Sequence, residues 1–572
     1  MIQGVVRVLF PLGLFFYGLI QAWLSPDRGA DLFARDSFYV ILALFFAWAW
    51  AAVDFLSERR EGLRGVFLKD RDVFFMATVL TAVIFLSVEV GFKTLSDETN
   101  LLAVSQSMLN EGTVFNLLQG KFYFGNLNVQ EVGIPTRPLL FPFLTSLLHR
   151  VVGFRPLLNP FLLNGILLWT GLTLLGLWSK RRSGSRWTAL AAMLLVLAQP
   201  ILSISATSGG FDLLSTLLYF GVLALARELW VRPSDALFRW FWLTLLLFCQ
   251  VRYESVVHAG LMVGVLVWAK RLGRLELTRH RELLAWTPLF LLPWILQRAV
   301  TAGQWETDPG VEPFAFGHLA RHFGEWLKLH SAWNSTLPYA LTLHWATVGL
   351  GLYWALDWLK TRSRNQGLRL AERPSELRGW HVLVVLTFLS TQALFLAHHM
   401  GAPGHPTQAR FFLTWAVGMS LLPLFFHFRF PRLFGQGPLL ALSAFAFVLH
   451  HPTAIEGRFI DQLYLIRETR FVISELERLG SPKGVVVTDR PGQYAALGYG
   501  SADFSRLNRD RDLYLTELKR GLFPGIFVIQ KVSYATEQPV PGQELDPGFR
   551  TEVLAEAQAT ESERIRLLKI VP

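Results

Sequence analysis

Among 572 residues there is a single cysteine, Cys249, and it sits inside an apolar run. One thiol can build neither an internal disulfide framework nor a cysteine-ligated metal site, so neither organises this chain. Charge is scarce too: Asp, Glu, Lys and Arg make up 17% of the residues, and the apolar excess excludes a disordered polymer. There is no collagen-like repeat, Walker loop or G-x-G-x-x-G, and Gly498-Tyr499-Gly500 alone is too short a signal for a nucleotide site. What is abundant is hydrophobic: 52% of residues are apolar and 14% aromatic, with 20 Trp and 46 Phe, mostly lipid-facing or belt residues. In a chain of this length, that composition describes a polytopic α-helical membrane protein.

A bilayer core about 30 Å thick asks for about 20 apolar residues per helix. Runs near 5–24, 38–56, 73–92, 158–178, 187–206, 211–230, 283–302, 337–359, 380–396, 411–428 and 438–450 are read as spans. The stretch 238–269 is too long for one span and is interrupted by Arg252-Tyr253-Glu254, so it reads as two, giving about 13. The first run lacks a small-residue cleavage site and is expected to be a retained span rather than a signal peptide.

Orientation follows from Lys and Arg in alternate loops. Loops 57–72, 179–187, 227–239, 269–282, 360–379 and 428–437 carry 25 basic residues, against 11 in the longer opposite set. The first set is assigned to the cytoplasm, with the N-terminus inside and the tail outside. Short loops and a lone sequon at Asn334 suggest a bacterial plasma membrane. Residues 452–572 hold 16 Lys/Arg and 17 Asp/Glu, so the formal charge of +11 lies among the spans and needs no nucleic-acid partner.

Three segments then belong to the outer face: loop 93–157, far longer than an ordinary connection, loop 303–334, and the tail 452–572. In the first, Leu101, Val104, Met108 and Leu109 predict an interfacial helix over 97–109, and Leu139, Leu140, Phe143, Leu147 and Leu148 a second over 137–152. The tail places strand-like runs at 484–489 and 525–530 among short helices at 493–497 and 514–520, as in a small α/β domain. The expected organisation is a membrane module, 1–451, followed by an extracytoplasmic α/β domain, 452–572, acting as a lid.

Ionisable groups at a membrane boundary are expensive and point to function. Asp97 and Glu98 stand at the start of the first interfacial helix, where the helix dipole favours a carboxylate. Their plain alternative is helix capping by Ser96 or Asp97, with Glu98 as ordinary first-turn charge. Asp212 follows Gly209-Gly210, beyond a helix break at Pro200, and topology brings it to the same surface. For most arginines a topological role suffices, and Arg252 has Glu254 as a simple partner. His318, His322 and Glu325 share a helical face, while His398, His399 and His405 cluster before Arg410. Neither set has a strong zinc spacing; these histidines are weak candidates for a divalent metal ion serving a diphosphate.

The run Ser96-Asp97-Glu98-Thr99-Asn100-Leu101-Leu102-Ala103-Val104-Ser105-Gln106-Ser107-Met108-Leu109 resembles the opening of the first outer loop in the GT-C superfamily of membrane glycosyltransferases. The branch is that of protein O-mannosyltransferases and lipid A aminoarabinose transferases. Arg137-Pro138-Leu139-Leu140 is similar to the element entering the second juxtamembrane helix of that family. Asp212 in its Ser-Gly-Gly-Phe-Asp setting, Arg252-Tyr253-Glu254 and Arg410-Phe411-Phe412-Leu413 continue the resemblance over 94–422. Two departures stand out: two additional spans come first, and Thr136 stands where some relatives have an acidic metal-contacting residue.

The resemblance implies sugar transfer, typically with inversion, from a polyprenyl phosphate or diphosphate carrier to a glycan, lipid or protein acceptor outside the cytoplasmic membrane. A phosphate leaves readily, so such a site needs a base for the acceptor hydroxyl and cations for the departing charge. On this resemblance Asp97 is the expected base, Glu98 the second choice, and Asp212 an acid that orients the acceptor or helps a cation. Arg137 and Arg410, with Arg252 as a third, are expected to hold the lipid phosphate through planar forks. Burial would raise the pKa of Asp97 and a nearby arginine would lower it, and the sequence leaves that contest open. A transporter or lipid-linked sugar flippase would be equally apolar, but transporters favour charged or broken elements near the midplane and internal repeats. A mere scaffold for the tail would need neither the long loop nor its carboxylates.

Overall fold

Where water is excluded, a chain must satisfy its own peptide groups, and the apolar runs accordingly close into helices. The computed structural model describes residues 2–58, 69–123, 126–271, 277–302, 312–331, 339–364, 375–456, 463–480, 484–560 and 562–571. Among the described residues, seven helices are long and apolar enough to cross a membrane: Val6–Leu24, Pro26–Ser57, Asn159–Ser183, Asp212–Val231, Arg281–Val300, Arg410–Arg429 and Gln436–Glu456. Large apolar side chains such as Trp50, Phe75 and Leu86 point outward from the helices, as they do toward lipid. The chain is therefore a polytopic helical membrane protein. Of the 13 runs expected, seven pass that test among the described residues, or eight with one bent pair.

The bent pair is Arg186–Leu197 and Pro200–Ala206, which meet at 83°. Pro200 lacks an N–H and disfavours helical backbone at Gln199. The Gln199 amide fills the gap, donating to Ser420 Oγ and accepting the Ala340 N–H, both at 2.8 Å. The long 238–269 run divides as expected, into Asp235–Cys249 and Ser255–Arg271, with Arg252-Tyr253-Glu254 in the turn. The run expected to span 73–92 is helical only over Arg71–Ser87, because Val88 turns extended ahead of Glu89 and Lys93.

The long loop supplies the helix Leu95–Asn110, a hairpin of β1 (Asn116–Tyr123) and β2 (Asn126–Gly133), and the helix Leu140–Val152. The second helix begins after Arg137 because Pro138 restrains the residue before it. In the tail, helix Leu463–Arg478 leads to β3 (Val485–Val487), helix Pro491–Ala496, β4 (Gly500–Ala502), helices Phe504–Arg509 and Arg511–Lys519, and β5 (Ile526–Ser533). A final hairpin, β6 (Arg550–Gln558) and β7 (Glu563–Val571), closes the chain. All seven strands form one sheet in the order β2-β1-β4-β3-β5-β7-β6. The loop thus contributes two strands to the sheet of the tail, joined where Gly120 pairs with Ser501.

One apolar core runs through this junction, with Phe92, Leu102, Ala103 and Leu117 packed among Val486, Tyr494, Phe527 and Leu567. Lys121 of β1, fully buried, places its Nζ 2.8 Å from Glu517 Oε2 and 3.5 Å over the Tyr514 ring. Loop and tail consequently share one end of the helices. The Asn334 sequon, residues 303–311 of the second loop and the basic segments 59–68, 272–276 and 365–374 lie outside the described residues.

Candidate active site

The carboxylates and arginines singled out above meet at that end. Asp97 and Glu98 lie in the first turn of the 95–110 helix, both buried. Arg137, on the approach to the 140–152 helix, donates from Nε to Asp97 Oδ1 at 2.8 Å. Arg410 bonds the other oxygen of Asp97 and reaches Asp212 Oδ2 at 3.7 Å. Arg252 Nη1 lies 2.8 Å from Asp212 Oδ1, and its Nε 2.7 Å from Glu254 Oε1. The result is an alternating row, Arg137–Asp97–Arg410–Asp212–Arg252–Glu254, assembled from five separate parts of the chain. Arg252 has Glu254, its simple partner, and Asp212 as well.

Aromatic walls keep water from diluting these charges. The Arg252 guanidinium lies over Phe411 at 5.0 Å, Phe211 at 5.3 Å and Phe395 at 5.5 Å, and Arg410 lies over Phe411 at 5.5 Å. Burial pushes the Asp97 carboxyl up, but Arg410 and Arg137 together outweigh it and hold the group down at about 2. The contest left open by the sequence is settled in favour of the arginines. Capping is not what Asp97 does: its oxygens serve guanidinium groups.

Glu98 is built differently. Its Oε1 accepts the backbone N–H groups of Lys93 and Thr94, each at 2.9 Å, and its Oε2 that of Gly209 at 2.7 Å. It ties the start of the 95–110 helix to the glycine turn just before Asp212. Burial pushes its carboxyl up to about 7, against the pull of the three N–H donors and Arg410. Asn164 pins the same turn, donating to the carbonyls of Ser208 at 2.7 Å and Gly210 at 2.9 Å. Gly209 is needed for close approach, since a Cβ there would lie 3.1 Å from Glu98 Oε2 and 3.3 Å from the Phe92 ring.

Two groups at the edge of the row were not assigned roles by sequence reasoning. Arg298, in the last turn of the 281–300 helix, lies 4.8 Å over the Tyr253 ring, and the Tyr253 hydroxyl donates to the Thr136 carbonyl at 2.6 Å. Gln297 holds the same strip, donating to the carbonyls of Pro135 at 2.8 Å and Arg137 at 2.7 Å. A charge near the end of an otherwise apolar span was the available signal for Arg298. Thr136, the departure from the acidic residue of some relatives, thus contributes its carbonyl to positioning Tyr253.

The histidines come near one another without forming a ligand set. His318 and His322 stack at 6.0 Å, but Nε2 of His318 faces the Glu312 carbonyl and Nδ1 of His322 the Leu396 carbonyl, each at 3.0 Å. His398 and His399 rings lie 4.4 Å apart, and His398 Nδ1 accepts the Met400 N–H. His405 precedes the short turn Pro406–Ala409. Among the described residues no three His, Cys, Asp or Glu side chains gather as a metal site. Nor do the carboxylates suit a divalent ion, since Asp97 and Asp212 are already faced by guanidinium groups.

No family model and no curated protein matches the chain. Among solved structures it is similar to ArnT from Cupriavidus metallidurans bound to undecaprenyl phosphate, with 15% identity, 86% of this chain and 97% of that one covered, and a TM-score of 0.44. The apo state of the same protein gives 16% identity, the same coverage and a TM-score of 0.42. The arabinosyltransferase EmbB from Mycobacterium smegmatis gives 14% identity over 67% of this chain and 40% of that one, with a TM-score of 0.26. Similarity this distant assigns neither substrate nor residue roles, and the charged row has to carry them.

Proposed function

We propose that the chain is a GT-C-type glycosyltransferase moving a sugar from a polyprenyl-phosphate or diphosphate carrier to an acceptor on the outer face of the cytoplasmic membrane. The observation that carries this reading is the placement of Asp97 between two guanidinium groups at the end of an apolar helical body. An anionic headgroup entering there competes for Arg137 and Arg410, whose forks suit phosphate oxygens. As they turn to phosphate, the clamp on Asp97 loosens and its basicity rises. The acceptor oxygen then attacks the anomeric carbon from the face opposite the phosphate, its proton passing to Asp97. The bond from that carbon to the phosphate oxygen breaks, and the lipid phosphate leaves with the electron pair against the arginines, giving inversion.

In this scheme Asp212 orients the acceptor, Arg252 fixes Asp212, and Glu98 holds the two carboxylate-bearing segments at their spacing. Arg298 adds a further positive charge at the rim. Residues 1–451 supply the chemistry and 452–572 an extracytoplasmic part, with the N-terminus cytoplasmic, as the basic loops suggest. Mass spectrometry of envelope glycans, glycolipids and glycoproteins tests the proposal, comparing cells with the gene, without it, and with the Asp97→Asn protein. One sugar mass is expected to disappear in both altered strains. Identical profiles in all three would refute the transferase reading, and a carrier-linked sugar that changes sides without being transferred would favour the flippase.

A further inference from the structure

The row is tied to the tail by contacts that sugar transfer does not by itself require. Arg470, on the 463–478 helix, bonds both the Glu89 carboxylate and the Val90 carbonyl. These residues lie in the extended segment after the 71–87 helix, where Gly91 donates to the Thr207 carbonyl at 3.1 Å. Two and three residues further on, Lys93 and Thr94 donate their N–H groups to Glu98. The Lys93 ammonium, itself buried, bonds back to the Glu89 carbonyl. Arg470, Glu89, Lys93 and Glu98 thus form an electrostatically linked series leading from the tail to the carboxylate pair. Gly91 has a reason of size to be there, since a Cβ would stand 2.6 Å from the guanidinium of Arg470.

We propose that Arg470 is a positioning residue for Asp97 and Glu98, so that the tail completes the site instead of merely covering it. This rests on the transferase reading of the row. By gripping residues 89 and 90, Arg470 fixes the segment that presents the Lys93 and Thr94 N–H groups. Those groups fix Glu98, and Glu98 fixes the Gly209 turn from which Asp212 projects. A displacement of about 1 Å among reacting groups costs up to about a hundredfold in rate, so a grip this remote is able to matter.

The test uses the full chain in lipid nanodiscs, as wild type, Arg470→Ala, Arg470→Lys, Gly91→Ala and the Gly91→Ala/Arg470→Ala double variant. Arg470→Ala is expected to lower kcat about tenfold with KM for the lipid-linked donor within about twofold, the pattern of lost orientation. Lysine is expected to restore part of the rate, because one ammonium reaches Glu89 or Val90 but not both. Gly91→Ala pushes the guanidinium away without removing it and should give the same loss. The double variant should be no worse than either single one, since both break one contact.

Hydrogen exchange gives a second readout, with faster exchange expected at the Lys93, Thr94 and Gly209 amides in the Arg470→Ala and Gly91→Ala proteins. Unchanged kcat with unchanged exchange would overturn the proposal, as would additive losses in the double variant. If Arg470→Ala does not fold, Gly91→Ala and Arg470→Lys decide by the same criteria. A wild-type protein that transfers no sugar would sink the transferase reading alone. The exchange measurement would then still decide the grip, retained protection refuting it and lost protection upholding it.

Discussion

Replacing Asp97 by Asn separates binding from chemistry at the row. The wild-type carboxyl is held at about 2 instead of 3.8, so its ionised form is favoured in the folded protein by about 2.5 kcal/mol, at roughly 1.4 kcal/mol per unit. Because the folded value is depressed, that stabilisation is fully present above 3.8 and is lost as pH falls through 2. Asn forfeits it at neutral pH. The attraction that an incoming phosphate must displace is larger than this net figure, because burial opposes it, so deleting it should tighten the lipid phosphate at Arg137 and Arg410 by about 60-fold or more. Loss of the proton acceptor should at the same time slow transfer by about a hundredfold to ten-thousandfold. The expected signature is thus a lower donor Kd with a collapsed kcat. Native mass spectrometry or fluorescence quenching with a polyprenyl phosphate at pH 7.5 reads the first, and a radiolabelled sugar-transfer assay the second. Weaker lipid-phosphate binding in the Asn protein, or transfer at the wild-type rate, would refute the reasoning.

Three further substitutions probe the supports. Gly209→Ala puts a Cβ into the space beside Glu98 and Phe92, and should cost about 1–3 kcal/mol by displacing a buried N–H acceptor, read as a lower Tm. Arg252→Lys removes the fork that serves Asp212 and Glu254 together, since a point charge cannot hold both acids in one geometry, and should lower kcat/KM about tenfold to a hundredfold with a lower Tm as well. Lys121→Met strands the largely buried Glu517 and should destabilise the loop–tail junction by about 3–5 kcal/mol, while Lys121→Met with Glu517→Leu should recover most of it. Protease susceptibility of the tail measures that difference, and equal susceptibility of the single and double variants would contradict it.

The helical body was legible because bilayer thickness dictates run length, and because Pro200 and the Arg252-Tyr253-Glu254 triplet break two runs where backbone physics requires it. Asp97 and Asp212 were legible because charge at a membrane boundary is costly and the loops placed them on one side, whereas Arg137, Arg252 and Arg410 were singled out only by the motif resemblance. The hairpin β1–β2 was not: β2 alternates only over the five residues Asn126-Leu127-Asn128-Val129-Gln130, β1 does not alternate at all, and its strand partner in the tail lies nearly four hundred residues away. Hairpin β6–β7 escaped for a related reason, since β6 is an exposed edge rich in charge. Nor could sequence distinguish Asp97 from Glu98. They are neighbours of equal charge, yet a helix turns adjacent side chains apart, one toward arginines and the other toward backbone N–H groups.

That division makes Glu98 the place where stability and turnover should respond oppositely to pH. Burial raises its carboxyl from 4.5 to about 7, so between those values the folded protein holds a proton that the unfolded chain has lost. The stability this group contributes is fully present below 4.5 and is lost as pH rises through 7. Only the ionised form, however, accepts from all three N–H donors, since a protonated carboxyl turns an O–H toward one of them. Transfer should therefore rise through about 7 as the tie forms, while stability falls by up to about 3 kcal/mol. Glu98→Gln freezes the neutral state and isolates the group from everything else that titrates: the wild-type advantage in Tm should shrink between pH 5 and pH 8, and the acid limb of the rate profile should vanish. A wild-type advantage that instead stays level over that range would mean that the three N–H groups outweigh burial, leaving Glu98 ionised throughout and its tie to Asp212 insensitive to pH.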